Sequence, residues 1–235
     1  MAKDKELGLA QHLEELRSRL IKSIAAIVVC FIGVYNFVDH IMVVLVKPVG
    51  ELVFIAPTEA FITRMMIALL VGVFASSPFL IFQVWRFVSV GLKEKESKYI
   101  TIFGPFSFIF FIFGALFAYF LVIPLGIKFL LSFATDSITP MISLNKYVSF
   151  VGTLTLAFGL IFQLPIAILF LTKIGFVTPR FLSTRRRNAI VLIFVGAAVL
   201  TPPDVVTQCL MAIPLLILYE IGIIFSKFAY NEHAR

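Results

Sequence analysis

Residues 185–200 read RRRNAIVLIFVGAAVL, three arginines followed almost at once by an apolar run. Because Lys and Arg are enriched at the cytoplasmic ends of membrane helices, this junction marks a membrane face. The whole chain of 235 residues is 60% hydrophobic and has only 20 basic and 13 acidic residues. That few charges cannot solvate a globular surface of this size, so the composition predicts an integral membrane protein.

Several apolar segments approach the roughly 20 residues that a helix needs to cross a hydrocarbon core. Barrel strands are about half as long and alternate, so the segments favour helices. No short apolar segment with a cleavage site precedes the first span, and we therefore expect no removed signal peptide. The sequence predicts an all-α polytopic protein, a single membrane domain over 1–235, with spans near 21–38, 61–85, 100–123, 148–172, 189–200 and 207–226.

The basic residues are distributed unevenly between the two sides of this topology. Of the 20 Lys and Arg residues, 16 lie in the N-terminus, the 86–99 and 173–187 loops and the C-terminus, against three in the 39–60 and 124–147 connections. Six crossings and this bias predict that both termini are cytoplasmic. Because the net charge of +7 is scattered among membrane ends, it does not indicate a nucleic-acid surface. Arg64, near the outer end of the second span, is expected to snorkel or to pair with Glu59.

The last two helices are predicted to be short. Residues 189–200 would cover only about 18 Å, and the turn at 201–204 leads directly into the final span. Pro78, Pro165 and Pro214 each remove a backbone hydrogen bond within a span, which favours bent helices and a concave arrangement. Asp204 follows Pro203 as a candidate helix N-cap, and Gln208 shares its face; both are secondary site candidates.

Three carboxylates have ordinary structural interpretations. Glu15 and Arg19 are spaced i,i+4 in an amphipathic N-terminal segment, where an ion pair stabilises a helix by a few tenths of a kcal/mol. Glu220 lies within the final span, where an unpaired carboxylate is costly, so we expect a partner or protonation. Glu96 lies among lysines in a loop that can simply be solvated.

Five separated stretches resemble the TatC family: HLEELRSRL at 12–20, FQVW at 82–85, FAYF at 117–120, LTPPD at 200–204 and YEIG at 219–222. The family is the multispanning receptor subunit of the twin-arginine protein translocase in the prokaryotic inner membrane. The resemblance implies a non-enzymatic receptor, without cofactors, that binds signal peptides of folded proteins at the cytoplasmic face. It would assemble with single-span partner subunits, for export driven by the proton-motive force.

The resemblance also implies which residues bind the signal peptide. Glu15 and Glu96 match its acidic recognition positions, and Arg17 and Phe87 lie in the same N-terminal and first-loop regions. Phe87 can equally be an interfacial anchor. Pro48 matches a position of functional importance in the family, although it can also be a plain helix terminator.

Gln163 departs from the family pattern, which typically has a glutamate within the fourth span. Glutamine keeps the shape and hydrogen-bonding capacity of glutamate but cannot ionise. We expect Gln163 to line the concave face and to contact a partner helix or a lipid, or else to hydrogen-bond within the bundle.

Other functional classes fit the residues less well. A small-molecule secondary transporter is the alternative, but it would need converging charges at the midplane, where the spans offer few ionisable groups beyond Glu220. An enzyme would need a nucleophile with a base or a metal cluster, and the three histidines lie at membrane ends. Cys30 and Cys209 are expected to be free, buried thiols. Membrane lipid and possible self-association complete the expected partners.

Overall fold

The computed structural model describes residues 9–47, 52–92, 100–134, 141–200 and 205–233. Apart from one isolated β-bridge, the regular secondary structure in these ranges is helical, which confirms the predicted all-α class. The helices are α1 (Leu9–Tyr35), α2 (Val38–Val46), α3 (Pro57–Val90), α4 (Ile100–Phe117), a π-helical turn (Ala118–Val122), α5 (Ile123–Leu131), α6 (Leu144–Ile161), α7 (Leu164–Lys173), α8 (Pro179–Thr184), α9 (Arg186–Leu200) and α10 (Val205–His233).

Five helical segments in the described part of the chain are long and apolar enough to cross a membrane: His12–Tyr35, Pro57–Val90, Ile100–Leu131, Leu144–Lys173 and Val205–Tyr230. Helix α9 has 15 residues, or about 22 Å, so its predicted shortness is confirmed. The prediction that the last helix is short is wrong, because α10 has 29 residues. The length was predicted from hydropathy, which falls after Phe225. Helical hydrogen bonds do not require apolar side chains, so the helix continues to His233.

The amphipathic N-terminal segment and the first span form one continuous helix, α1. No proline interrupts residues 9–35, and the single glycine, Gly33, lies in the last turn. The polar stretch around Glu15 is therefore rigidly joined to the apolar stretch that follows it.

The three span prolines do not act alike. Helix α3 continues through Pro78, where the Ser77 hydroxyl donates to the Phe74 carbonyl at 2.6 Å. Phe74 is the carbonyl that the missing Pro78 N–H would have bound, so the serine replaces the lost bond. Helix α10 also continues through Pro214. Only Pro165 coincides with a break, between α6 and α7.

The backbone forms two compact units: Met1–Met42 with Arg64–Phe108, and Val43–Thr63 with Ile109–Arg235. In the first unit, α1 and α3 run antiparallel. His12 of α1 contacts Phe87 near the C-terminal end of α3, and Arg19, two turns later in α1, bonds to Gln83, which is one turn earlier in α3. Further along the α1–α3 interface, Gly72 of α3 lies close to the backbone of Phe31 in α1. A Cβ added at Gly72 would be 3.0 Å from the Phe31 nitrogen.

An ion pair between Arg64 and Asp39 lies at the other end of this antiparallel pair. The expected pairing of Arg64 with Glu59 is wrong. Glu59 instead belongs to the second unit, where its carboxylate accepts hydrogen bonds from the Ser143 hydroxyl, the Asn145 N–H at 3.0 Å and the Ile55 N–H at 2.8 Å.

In the second unit, the segment before α3 is tied to the segment before α6. Val53 donates to Ile142 at 3.1 Å, and Leu144 donates back to Val53 at 2.9 Å, forming a short parallel bridge. Tyr119 and Tyr147 donate their hydroxyls to the carbonyls of Val44 and Leu45, at 3.2 and 2.7 Å. Backbone hydrogen bonds thus join the two connections, and the two tyrosines bind the last turn of α2.

An aromatic cluster joins α4 to α6 in the same unit. Phe117 contacts Phe158 and Phe162, with ring centroids 5.8 and 5.5 Å apart, and Phe113 contacts Phe162 at 5.7 Å. Gly114 makes this contact possible, because an added Cβ would lie 2.5 Å from the Phe158 carbonyl oxygen.

We predict that Gly114→Ala destabilises the protein by about 1–3 kcal/mol, because α4 must move away from α6. Gly104→Ala on the same helix is the matched control, since an added Cβ there meets nothing within 4 Å. The control should be neutral, or stabilising by up to about 1 kcal/mol through helix propensity. Thermal unfolding in detergent measures both, and equal effects would contradict the close-packing argument.

Candidate functional site

The polar end of α1 packs on the C-terminal part of α3 through a three-residue cluster. Arg19 forms an ion pair with Glu15 one turn earlier and donates from Nη1 to the Gln83 Oε1 at 3.1 Å. The Arg19 and Glu15 side chains are only 15% and 28% exposed. Charge-assisted bonds in such partly desolvated surroundings are stronger than those of surface pairs, so Arg19 links α1 firmly to α3.

The cluster retains unused hydrogen-bonding capacity. The Glu15 Oε1 accepts from Arg19, whereas no bond to Glu15 Oε2 is made by the described residues. The Arg19 Nε is buried and, within the described chain, has no acceptor. A carboxylate offers about four lone-pair sites, so Glu15 can accept a second guanidinium while keeping Arg19. The cluster can therefore offer an incoming peptide a carboxylate acceptor.

Phe87 lies beside this cluster, one helical turn further along α3 than Gln83. Its ring contacts His12 of α1, with centroids 4.6 Å apart. The structure thus brings two predicted site residues, Glu15 and Phe87, to the same end of the α1–α3 pair. Arg17, by contrast, is exposed on the side of α1.

Trp85 fixes this end of α3 to α4. Its indole N–H donates to the Ser107 hydroxyl at 2.8 Å, and its ring stacks on Phe103 with centroids 5.6 Å apart. Trp85 is therefore buried, although its place at a span end is typical of an interfacial anchor. Arg86 next to it is exposed and lies over the Phe82 ring, 5.9 Å from its centroid.

Three predicted site residues, Glu96, Pro48 and Asp204, lie outside the described residues. Gln163 is described, and it lies at the break between α6 and α7 rather than inside a regular helix. Its side-chain amide donates to the Gly159 carbonyl at a long 3.5 Å, and its backbone carbonyl accepts from Ala167 at 2.8 Å. Gln163 is half-buried. Its polar amide lies at the irregular backbone between α6 and α7, two residues before Pro165.

Glu220 has a partner, which is one of the two outcomes expected from the sequence. Its carboxylate accepts from Arg186 at 2.9 Å, joining α10 to the first turn of α9. Both side chains are about half exposed, at 48% and 49%, so this pair is weaker than the Glu15–Arg19 cluster. In the middle of α9, the Phe194 carbonyl accepts a hydrogen bond from the Gln208 side chain at 3.0 Å. Glu220 and Gln208 thus hold α9 against α10.

Sequence reasoning missed Arg19, Gln83 and His12 as members of the site. Gln83 carried a signal, since a glutamine inside an apolar run needs a hydrogen-bonding partner. Cys30 and Cys209 are free thiols as predicted, but both are half exposed rather than buried. Within the described ranges, no group of three or more His, Cys, Asp or Glu side chains could hold a metal ion.

Comparisons with known proteins agree on one family. Residues 11–214 match the family model for Sec-independent protein translocase protein (TatC). The chain is 44% identical over 230 residues to the TatC protein of Carboxydothermus hydrogenoformans, covering 96% of this chain and 95% of that protein. It is 41% identical over 234 residues to TatC of Aquifex aeolicus, covering 96% and 97%.

A solved structure has the same fold. The crystal structure of the twin-arginine translocase receptor TatC superposes with a TM-score of 0.85 at 41% identity, covering 93% of this chain and 99% of that one. At this identity the likeness extends beyond fold alone, and it favours a protein translocase over the alternative of a small-molecule transporter.

We predict that Gln83→Leu destabilises the protein by about 1.5–3 kcal/mol, because Arg19 loses its bond to α3. Val84→Leu, at the exposed neighbouring position, should change stability by less than about 0.5 kcal/mol. Trp85 is the only tryptophan, so its fluorescence during denaturation reports on this region. Equal stability of both variants would show that the Arg19–Gln83 bond contributes nothing.

Proposed function

Since this chain belongs to the TatC family, a protein translocase component of the prokaryotic inner membrane and not an enzyme, we propose that it is a receptor for twin-arginine signal peptides. The proposed ligand is the signal peptide of a folded export substrate, bound at the cytoplasmic face. The related crystal structure is described as a twin-arginine translocase receptor, which supports this assignment.

The observation that carries the proposal is the half-used Glu15 carboxylate. Glu15 is held in place by Arg19, which is itself held by Gln83, so its position is fixed before a ligand arrives. A fixed acceptor binds with less loss of conformational entropy than a mobile one. Its Oε2, without a described donor, is the atom we assign to one arginine of the ligand.

Arginine and lysine would be distinguished by geometry. A guanidinium offers a planar fork of donors that matches a carboxylate, whereas an ammonium is a point charge on a flexible stem. Two arginines need two acceptors, and Glu96 is the second acceptor that we propose. Phe87, packed on His12, would contact the apolar part of the signal peptide, and the exposed Arg17 would contact its backbone or polar residues.

The topology is part of the proposal. We propose six crossings, with α9 as the short fifth crossing, both termini in the cytoplasm, and a single membrane domain over 1–235. The five long apolar helices and the arginines at 185–187 support this arrangement. On this topology the Glu15 cluster and the C-terminus lie on the same side of the membrane.

Partner subunits with a single span would bind within the membrane. Gln163, at the α6–α7 break, is the polar contact that we propose for a partner helix, because amides can hydrogen-bond across helices in lipid. Glu220, paired with Arg186, would act by fixing α9 to α10. Pro48, Asp204 and Gln208 remain secondary candidates, and of these Gln208 has a described structural bond.

We predict that Glu15→Gln weakens binding of a twin-arginine signal peptide by about tenfold, since a neutral amide cannot form a charge-assisted bond. Binding is measured on the purified protein in detergent, with a twin-lysine peptide in parallel. Glu96→Gln should have a similar effect, and added salt should weaken binding to the unmodified protein.

Glu14→Gln is the matched control, because Glu14 is the adjacent residue, has the same charge and is exposed. It should change peptide affinity by less than about twofold. If Glu14→Gln and Glu15→Gln weaken binding equally, only the net charge matters and the assigned acceptor is wrong. If both peptides bind equally well, the protein does not select arginine.

We predict that Gln163→Glu raises export activity, because a carboxylate restores the ionisable group that the family typically has at this position. The measurement is export of a folded reporter in cells whose own TatC has been deleted. Gln163→Leu, which removes the amide, should lower activity. Unchanged export in Gln163→Glu would exclude the charge from the mechanism.

A further inference from the structure

A cavity of about 540 Å³ lies where the α7–α8 connection meets the last turns of α10. It is lined by Thr178, Pro179, Arg180, Lys227 and Tyr230. These residues belong to the second compact unit, and none of them has a role in the signal-peptide site.

The α7–α8 turn that forms one wall is well defined. Gly175 adopts a φ of +80°, Gly175 N–H donates to the Thr172 carbonyl at 3.0 Å, and Phe176 N–H donates to Leu171 at 2.9 Å. This is the Schellman pattern, which ends a helix with a glycine in the left-handed conformation. Thr178 then caps α8 by accepting from the Phe181 N–H at 3.2 Å, which places Arg180 in the first turn of α8.

Helix α8 is held against α10, which forms the opposite wall. Leu182 packs in a buried cluster with Ile168 and Ile223, and the Tyr219 hydroxyl donates to the Leu182 carbonyl at 3.0 Å. Arg180 belongs to α8 and Lys227 belongs to α10. Because these two helices pack against each other, the distance between the two residues is fixed.

The cavity is cationic and offers several donors. Arg180 and Lys227 are exposed, and neither forms an ion pair with an acid in the described part of the chain. The Tyr230 and Thr178 hydroxyls add uncharged donors at the same opening. Arginine with lysine and hydroxyl donors is a set that binds phosphate oxygens.

Exposed aromatic side chains adjoin the cationic residues in the sequence. Phe176 precedes the lining segment by two residues, Phe181 follows Arg180, and Phe228 follows Lys227; all three are largely exposed. Aromatic residues next to basic ones, at the end of an apolar helix, are typical of the headgroup region of a bilayer. A free phosphate has no apolar group that could contact these rings, whereas the glycerol and acyl chains of a lipid would contact them.

We propose that this cavity binds the phosphate headgroup of an anionic phospholipid. Arg180 and Lys227 contact the phosphate, Tyr230 and Thr178 donate to its oxygens, and the acyl chains lie along the exposed phenylalanines. The bound lipid would fix the C-terminal end of α10 at the membrane surface. This proposal is independent of signal-peptide binding and of the Glu15 cluster.

Native mass spectrometry of the full-length protein, titrated with phosphatidylglycerol or with zwitterionic phosphatidylethanolamine, tests the proposal. We expect phosphatidylglycerol to bind preferentially, and Arg180→Gln combined with Lys227→Gln to weaken it roughly 30-fold. Arg187→Gln combined with Lys146→Gln is the control, since it removes the same charge from exposed positions outside the cavity. The control should bind within about twofold of the unmodified protein.

Three results would overturn the proposal. Equal weakening in both double variants would mean that only general surface charge matters. Equal binding of the two lipids would exclude headgroup recognition, and displacement by excess inorganic phosphate alone would indicate a free-anion site.

A photoactivatable phosphatidylglycerol on the unmodified protein gives a second readout that needs no variant. Crosslinks should fall within 178–181 and 227–230, and crosslinks only elsewhere would also refute the site.

Discussion

A backbone carbonyl that loses its helical N–H partner needs another donor, and this constraint explains several of the side-chain contacts in the structure. Wherever a helix ends or contains a proline, a carbonyl loses its N–H partner. Side-chain donors bind main-chain carbonyls repeatedly in these regions: Ser77 binds Phe74, Tyr119 binds Val44, Tyr147 binds Leu45 and Tyr219 binds Leu182. Most of these donors come from a different helical element than the carbonyl they bind. The same hydrogen bonds therefore also connect the helices.

Charged side chains obey a related constraint. Arg64 pairs with Asp39, Arg186 pairs with Glu220, and Arg19 contacts both Glu15 and Gln83. Asp39 and Arg186 lie in the first turns of α2 and α9, whereas Glu15 and Arg19 lie further inside α1. The Glu15 cluster differs from the other two in being less exposed and in holding the guanidinium Nε of Arg19 buried. That difference is why we assign ligand recognition to it and a structural role to the other pairs.

Patterns within one helix were easier to predict than contacts between helices. The i,i+4 spacing correctly indicated the Glu15–Arg19 pair, but nothing local indicated that Arg19 would also reach Gln83, 64 residues away. The same limitation explains the wrong partner for Arg64, since Glu59 was close in sequence whereas Asp39 was brought near by the antiparallel packing of α1 and α3. The burial of Trp85 is a further contact between helices, because it depends on Ser107 and Phe103 of α4.

The sequence by itself determined the membrane class, the helical fold, the main apolar segments and the TatC resemblance, which the family comparisons confirm. These follow from composition, hydropathy and short motifs, each of which can be read along one chain. The tertiary structure decided the partners of Arg19, Arg64 and Glu220, because a carboxylate or guanidinium pairs with whichever group packing brings within reach. It also decided that α10 extends to His233 and that Pro165 marks a break whereas Ser77 compensates for Pro78, because those outcomes depend on three-dimensional hydrogen bonding.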